Sequence, residues 1–182
     1  WPGLPCDAGH ARRRSHDLPS EALHVAVVLS PFILLPAAGW LGGYGARYAS
    51  LLALVPAALT AYFGFTYWLV NTTGAFTVTL PWAPNLGLSL SFHLDGLGLM
   101  FATLITAIGV LIVVYAANYL DGHKDARKFH LSLFAFMGAM LGVVLADNVL
   151  TLFVFWELTG FTSYLLIGFE HERPEARAAA LQ

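Results

Sequence analysis

Residues 152–169 read LFVFWELTGFTSYLLIGF, a run in which Glu157 is the single charged residue. Its neighbours Phe153, Val154, Phe155, Trp156, Leu158 and Phe161 are all apolar. A helix on the surface of a soluble protein confines its apolar residues to one stripe, whereas this segment is apolar around its whole circumference. About 20 such residues cross a hydrocarbon layer of about 30 Å. The stretch therefore predicts a membrane-spanning helix with a carboxylate inside it. The rest of the chain agrees. Only 11% of its 182 residues are charged and 58% are hydrophobic, where a soluble domain is about a quarter charged. So few charges do not clothe a soluble globule of this size. No basic patch interleaved with aromatics occurs, which argues against nucleic acid as a partner.

Four more stretches have the length and polarity of spans. They run from about His24 to Leu41, Tyr48 to Val70, Leu97 to Leu120 and Phe129 to Ala146, followed by the fifth from about Val149 to Phe169. Pro31, Pro36 and Pro56 lie within the first two, where spanning helices tolerate proline if neighbours satisfy the freed carbonyls. Between spans two and three, NTTGAFTVTLPWAPNLGLSLSFHLDG (residues 71–96) alternates β-branched and polar residues around Gly, Pro and Asn. That pattern predicts a short β-hairpin outside the bilayer, with Tyr67, Trp68 and Trp82 in the interfacial belt. Asp95 is placed to cap the third span. The fold expected is all-α: a polytopic transmembrane helix bundle of about five spans with a short extracytoplasmic hairpin.

Residues 1–22, with Arg12, Arg13, Arg14, Asp7, Asp17 and three prolines, read as a disordered tail. Residues 23–182 read as a membrane domain. A signal peptide is disfavoured, because the apolar stretch from Val25 is long, contains Pro31 and Pro36 and lacks a small-residue cleavage site. The lone Cys6 closes no internal disulfide. Arg47 follows span one, Lys124, Arg127 and Lys128 follow span three, and Arg173 and Arg177 follow span five; the alternate loops carry neither Lys nor Arg. The basic loops are thus expected in the cytoplasm and the N-terminus outside, although Arg12 to Arg14 point the other way. Gly138 and Gly142, four apart in span four, have the spacing that lets helix backbones approach closely.

Asp147 and Asn148 alone separate spans four and five, and Glu157 lies about ten residues beyond that turn. At 1.5 Å per residue this is about 15 Å, half the hydrocarbon thickness. Low-dielectric surroundings favour a neutral carboxyl and a nearby cation favours the carboxylate, so a carboxyl balanced between the two loads and releases a proton as the cation moves. The alternative is an acid that serves only as interhelical glue. Phe153, Val154, Gly160, Phe161, Tyr164 and Gly168 share the Glu157 face by helical spacing. Thr159, Thr162 and Ser163 add hydroxyls, which equally well bond back to their own helix. No lysine falls inside the five predicted spans. His24, His93, His123, His130 and His171 fall at span ends or in loops, and His10 and His16 in the tail. No pair has metal-ligand spacing within a span, and no nucleotide or serine-nucleophile motif occurs. No cofactor is implied.

Two of these segments resemble a known family. FWELTGFTSYLLIGF is similar to the fifth-span signature of the A-type subunit of Mrp-type multisubunit cation/proton antiporters, and FHLDGLGLMFATLITAIGVLIVVYAANYL resembles the third span of the same protein. The family is related to the antiporter-like subunits of respiratory complex I, whose largest member carries a similar Trp-Glu element. The resemblance covers roughly residues 30–182. It implies that Glu157 is the essential fifth-span glutamate, paired with a lysine on a later, interrupted helix; Tyr164 and Thr159 are the supporting hydroxyls that helical spacing, not the resemblance, offers. Gly160 stands where several relatives have serine. The chain then corresponds to an N-terminal portion that ends as a sixth span starts near Ala178. Na+ and H+, the lipid bilayer and other membrane subunits of the same complex are the implied partners, and the cell membrane the implied location. Two other readings remain: a proton-pumping membrane subunit of an NADH:quinone oxidoreductase or membrane-bound hydrogenase, and a scaffold that translocates nothing.

Overall fold

A computed structural model describes residues 18–83 and 88–168. In chain order the elements are α1 (Leu18–Ile33), α2 (Leu35–Leu41), α3 (Ala46–Leu51), α4 (Leu54–Thr73), β1 (Phe76–Ala83), β2 (Leu88–Leu94), α5 (Gly96–Tyr119), α6 (Ala126–Val144) and α7 (Val149–Ile167). They form five segments long and apolar enough to cross a membrane: Ala22–Leu41, Ala46–Thr73, Gly96–Tyr119, Ala126–Val144 and Val149–Ile167. The fold is a helical bundle with one two-stranded antiparallel sheet, as the sequence predicts.

Several boundaries differ for identifiable reasons. α1 begins at Leu18, inside the segment read as tail; the remainder of that segment lies outside the described residues, as do Arg173, Arg177, His171 and the expected sixth span. Each of the first two spans is two helices rather than one. Pro31 has no N–H for the Val27 carbonyl, and the Ser30 hydroxyl donates to it instead at 2.7 Å. The chain then breaks at Leu34 and restarts with Pro36 in the first turn of α2, where a missing N–H costs no helix bond. Pro56 leaves the Leu52 carbonyl free, and Val55 N–H donates to it at 3.1 Å. α6 starts three residues earlier than its hydropathy suggests, at Ala126. Lys128 therefore lies in a helical first turn, and His130 is a fully buried residue of α6 rather than a span-end residue. His24 is likewise inside α1, and its Nδ1 shares a hydrogen bond with the Tyr62 hydroxyl of α4.

α6 is the central helix, packing against α1, α2, α5 and α7. Its glycines explain how. A Cβ on Gly138 would stand 2.7 Å from the ring of Phe32 in α1, and a Cβ on Gly142 would stand 2.2 Å from the ring of Phe155 in α7. The two glycines thus admit aromatic rings from two different helices, instead of letting one backbone approach. Those rings lie near each other, with centroids 6.3 Å apart.

In the hairpin, Phe76 pairs with Leu94, Val78 with Phe92 and Leu80 with Leu90. Val78, Phe92 and Leu94 are buried against the helices, which is the period-two pattern of a half-covered strand. The far edge of β2 does not end in solvent. His93 N–H donates to Leu145 O at 2.8 Å and Asp147 N–H to Ser91 O at 3.0 Å, so the α6–α7 turn is tied to β2 by a single antiparallel bridge between Phe92 and Ala146. Asn148 Nδ2 donates to Ser89 O at 3.1 Å, and Ser91 N–H donates to the buried Thr151 hydroxyl at 3.2 Å. Tyr67 and Trp68 are exposed near this end; the side chain of Trp82 lies outside the described residues. Exposed Trp40, Tyr44, Tyr48, Tyr115 and Tyr119 form a second aromatic group toward the opposite, basic end.

Candidate functional site

α7 starts where the turn holds it. Asn148 is its N-cap, with Oδ1 accepting from Thr151 N–H at 2.7 Å. Thr151, Phe155 and Thr162 are the buried residues of the helix, Phe155 being seated in the notch at Gly142. At 100° per residue, a side chain two positions beyond Phe155 lies about 200° round the helix. Glu157 accordingly faces away from the bundle.

Glu157 follows Val149, the first residue of α7, by eight positions and precedes Ile167, the last, by ten, so it stands at the middle of the helix. Phe153 (60% exposed), Val154, Phe161 (59%) and Tyr164 are exposed with it, and around Gly160 nothing lies within 4 Å of where a Cβ would stand. Gly168, expected on this face, is buried instead. Among the described residues the Glu157 carboxylate has neither a hydrogen-bond nor an ion-pair partner. Tyr164 is on the same exposed face but is not bonded to it. Thr159 donates to Trp156 O at 2.6 Å and Thr162 to Leu158 O at 2.8 Å, so both hydroxyls are committed to their own helix. The structure therefore brings together a lone acid, a phenol two turns away and a small-residue gap on one open apolar face. Of the whole α7 span 17% is buried within this chain, against 50% of α6.

No group of three or more His, Cys, Asp or Glu side chains converges among the described residues. Two features escape a reading of the sequence alone. One is the coupling of the α6–α7 turn to β2, for which period-two alternation gives no partner. The other is the burial of His130, whose basic, charged neighbours Arg127 and Lys128 give it the look of a span-end residue.

Known proteins resemble the chain in both sequence and structure. A family model described as NADH-Ubiquinone oxidoreductase (complex I), chain 5 N-terminus, matches residues 82–130. The A1 subunit of the Na(+)/H(+) antiporter of Staphylococcus aureus is 41% identical over 153 residues, 83% of this chain and 19% of that protein. The corresponding A-type subunit of the Na(+)/H(+) antiporter of Alkalihalophilus pseudofirmus is 40% identical over 161 residues, 87% of this chain and 20% of that protein. A solved Mrp complex from Dietzia sp. DQ12-45-1b contains a chain that superposes with a TM-score of 0.72 at 27% identity, over 89% of this chain and 17% of that one. The chain spans about a fifth of the length of the curated relatives. Identity at this level over more than four fifths of the residues places it: the chain belongs to the family of A-type subunits of Mrp-type Na+/H+ antiporters.

Proposed function

We propose that this chain is part of one subunit in a multisubunit monovalent cation/proton antiporter, and that Glu157 carries the proton or ion near the bilayer midplane. The observation that carries the reading is the placement of Glu157: mid-helix, unpartnered, on the open face of a helix whose other face is packed. The naming of the relatives supports Na+ as the coupled cation, with other membrane subunits and lipid as partners. A cation held against that face stabilises the carboxylate, and its withdrawal returns the proton. The family resemblance supplies the cation as a lysine on a later helix. Tyr164, exposed on the same face, offers a hydroxyl two turns from Glu157, while Thr159 contributes only if its bond to Trp156 O opens. The distribution of Arg47, Lys124, Arg127 and Lys128 supports a cell-membrane orientation with the hairpin and N-terminus extracytoplasmic.

The test is Glu157→Gln and Glu157→Ala in the complete complex, with assembly measured alongside. The expected result is normal assembly with sodium resistance and sodium-driven proton flux near background. Assembled variants with wild-type flux would refute the translocation role and leave the scaffold reading. The complex I description of the residues 82–130 model supports a second reading, a redox-linked proton pump. It is separated from the first by whether proton flux follows a sodium gradient or electron transfer.

A further inference from the structure

The basic end of the bundle holds a cavity of about 590 Å³ that the transport reading does not use. One wall is the glycine-rich turn between α2 and α3, residues 42–45. The other is the α5–α6 loop and the first turn of α6. Lys124, Arg127 and Lys128 line it. The acid in its wall, Asp121, already accepts from the Ala46 N–H at 2.9 Å. Asp125, the N-cap of α6, makes no side-chain cap bond, because Lys128 Nζ holds its carboxylate at 2.8 Å. The first turn of a 19-residue helix thus lines the cavity with no side-chain cap on its N–H groups.

The glycines shape the wall for the basic residues. A Cβ on Gly43 would lie 3.4 Å from Arg127 Nε, and one on Gly42 would lie 2.9 Å from the His130 ring and 2.8 Å from Ala38 O. Arg127 is exposed and has no hydrogen-bond or ion-pair partner among the described residues. His130 is the independent sign of a ligand. It lines the cavity while being fully buried. Its Nδ1 lies 2.8 Å from Ala126 O; a carbonyl only accepts, so Nδ1 carries the proton. Nε2 is then a buried acceptor, and it has no partner. Buried polar atoms are seldom left in that state, and a hydroxyl donor on a bound headgroup would end it. Around this end Trp40, Tyr44 and Tyr48 stand exposed in a ladder of edge-to-face rings with centroids 5.1 and 6.3 Å apart, the arrangement of side chains that sit at lipid headgroup level.

We propose that this cavity binds the phosphate of an anionic phospholipid headgroup, with Arg127 as the chief ligand of the phosphate and His130 Nε2 accepting from a headgroup hydroxyl. Basic pockets between spanning helices take such headgroups, at roughly a five-fold gain in affinity per cation. The site is distinct from Glu157, so its failure and that of the transport reading are told apart by separate measurements.

The experiment is native mass spectrometry of the full complex taken from nanodiscs of phosphatidylglycerol mixed with phosphatidylcholine, with and without millimolar inorganic phosphate. The wild type is expected to retain phosphatidylglycerol selectively. Arg127→Gln should weaken retention about five- to ten-fold, Arg127→Lys less, and Arg47→Gln, outside the cavity, not at all. Displacement of the lipid by inorganic phosphate would overturn the lipid assignment in favour of a soluble phosphate. Equal retention by the wild type and Arg127→Gln, or no preference for phosphatidylglycerol, would overturn the site.

Discussion

Gly142→Ala tests the packing that aims α7. The added Cβ would stand 2.2 Å from Phe155 Cδ1 and Cγ and 2.6 Å from Cδ2, where carbon atoms rest at about 3.5–4.0 Å. A shortfall above 1 Å needs either ring rotation or helix separation. Rotation is blocked, since Phe155 is 4% exposed and lies between Phe32 and Phe92, with ring centroids 6.3 and 5.8 Å away. The helices must therefore part, at a cost at the upper end of the overpacking range, about 3 kcal/mol. Phe155→Ala alone leaves a void and costs about 3–5 kcal/mol through lost dispersion contacts. In the double variant the new methyl enters that void. Its cost should fall short of the summed single costs by about 2–3 kcal/mol. The assay is a denaturant titration of the full-length protein in detergent for all four members of the cycle. Additive costs, or a Gly142→Ala variant within about 0.5 kcal/mol of wild type, would refute this account of the α6–α7 interface.

Three more expectations concern single contacts. Asn148→Ala removes both the α7 cap and the bond to Ser89 O and should cost about 1–2 kcal/mol, with faster amide exchange at Thr151; Asn148→Asp, which keeps the cap alone, should fall between. Ser30→Ala strips the Val27 carbonyl of its donor and should cost about 1 kcal/mol, whereas in a Pro31→Ala background, where the backbone N–H returns, the same change should be neutral by unfolding midpoint. Asp125 titrates below the usual carboxylate range, first because of its hydrogen bond from Lys128 and then because of the surrounding charges of Lys128, Lys124 and His123. Its folded value being depressed, the pair's contribution is present above the ordinary carboxylate value and is lost as pH falls through the depressed one; Lys128→Met should raise the Asp125 titration midpoint followed by carbon NMR.

The sequence is most legible where local chemistry decides the outcome. α5 and α7 begin within a residue of expectation, because Asp95 and Asn148 both cap and because each helix is uniformly apolar. Asp95 accepts from Gly98 N–H at 2.7 Å, as a cap should. α6 is less legible at its start. Arg127 and Lys128 depress the hydropathy there, yet the Asp125–Lys128 pair is a helical (i, i+3) contact that a polarity window reads as loop. The proline positions announce trouble in the first two spans, but which carbonyl is re-satisfied depends on Ser30 and on Val55, side chain in one case and backbone in the other. Gly138 and Gly142 are visible as a pair, while their occupants come from α1 and α7, more than ten residues away on either side. The candidate acid is legible as an isolated charge; the direction it faces is not, because that follows from Phe155 entering α6.

The two faces of α7 are joined by one physical argument. On the packed face the helix is fixed along its axis by Asn148 and Thr151 on β2 and about its axis by Phe155 in the Gly142 notch. Those constraints determine both the height and the heading of Glu157 without any bond to Glu157 itself. An acid left on lipid at the centre of a span costs about 3 kcal/mol on insertion scales, and a carboxyl serving as glue inside this bundle would have turned inward, where Thr66, Thr106 and Ser132 are buried. Instead it faces outward beside Gly160, where the added bulk of a side chain would meet no atom of this chain. A rigid mount behind and an open gap in front leave the carboxylate free to meet a partner outside the five described spans, as the proposed proton exchange with a movable cation needs.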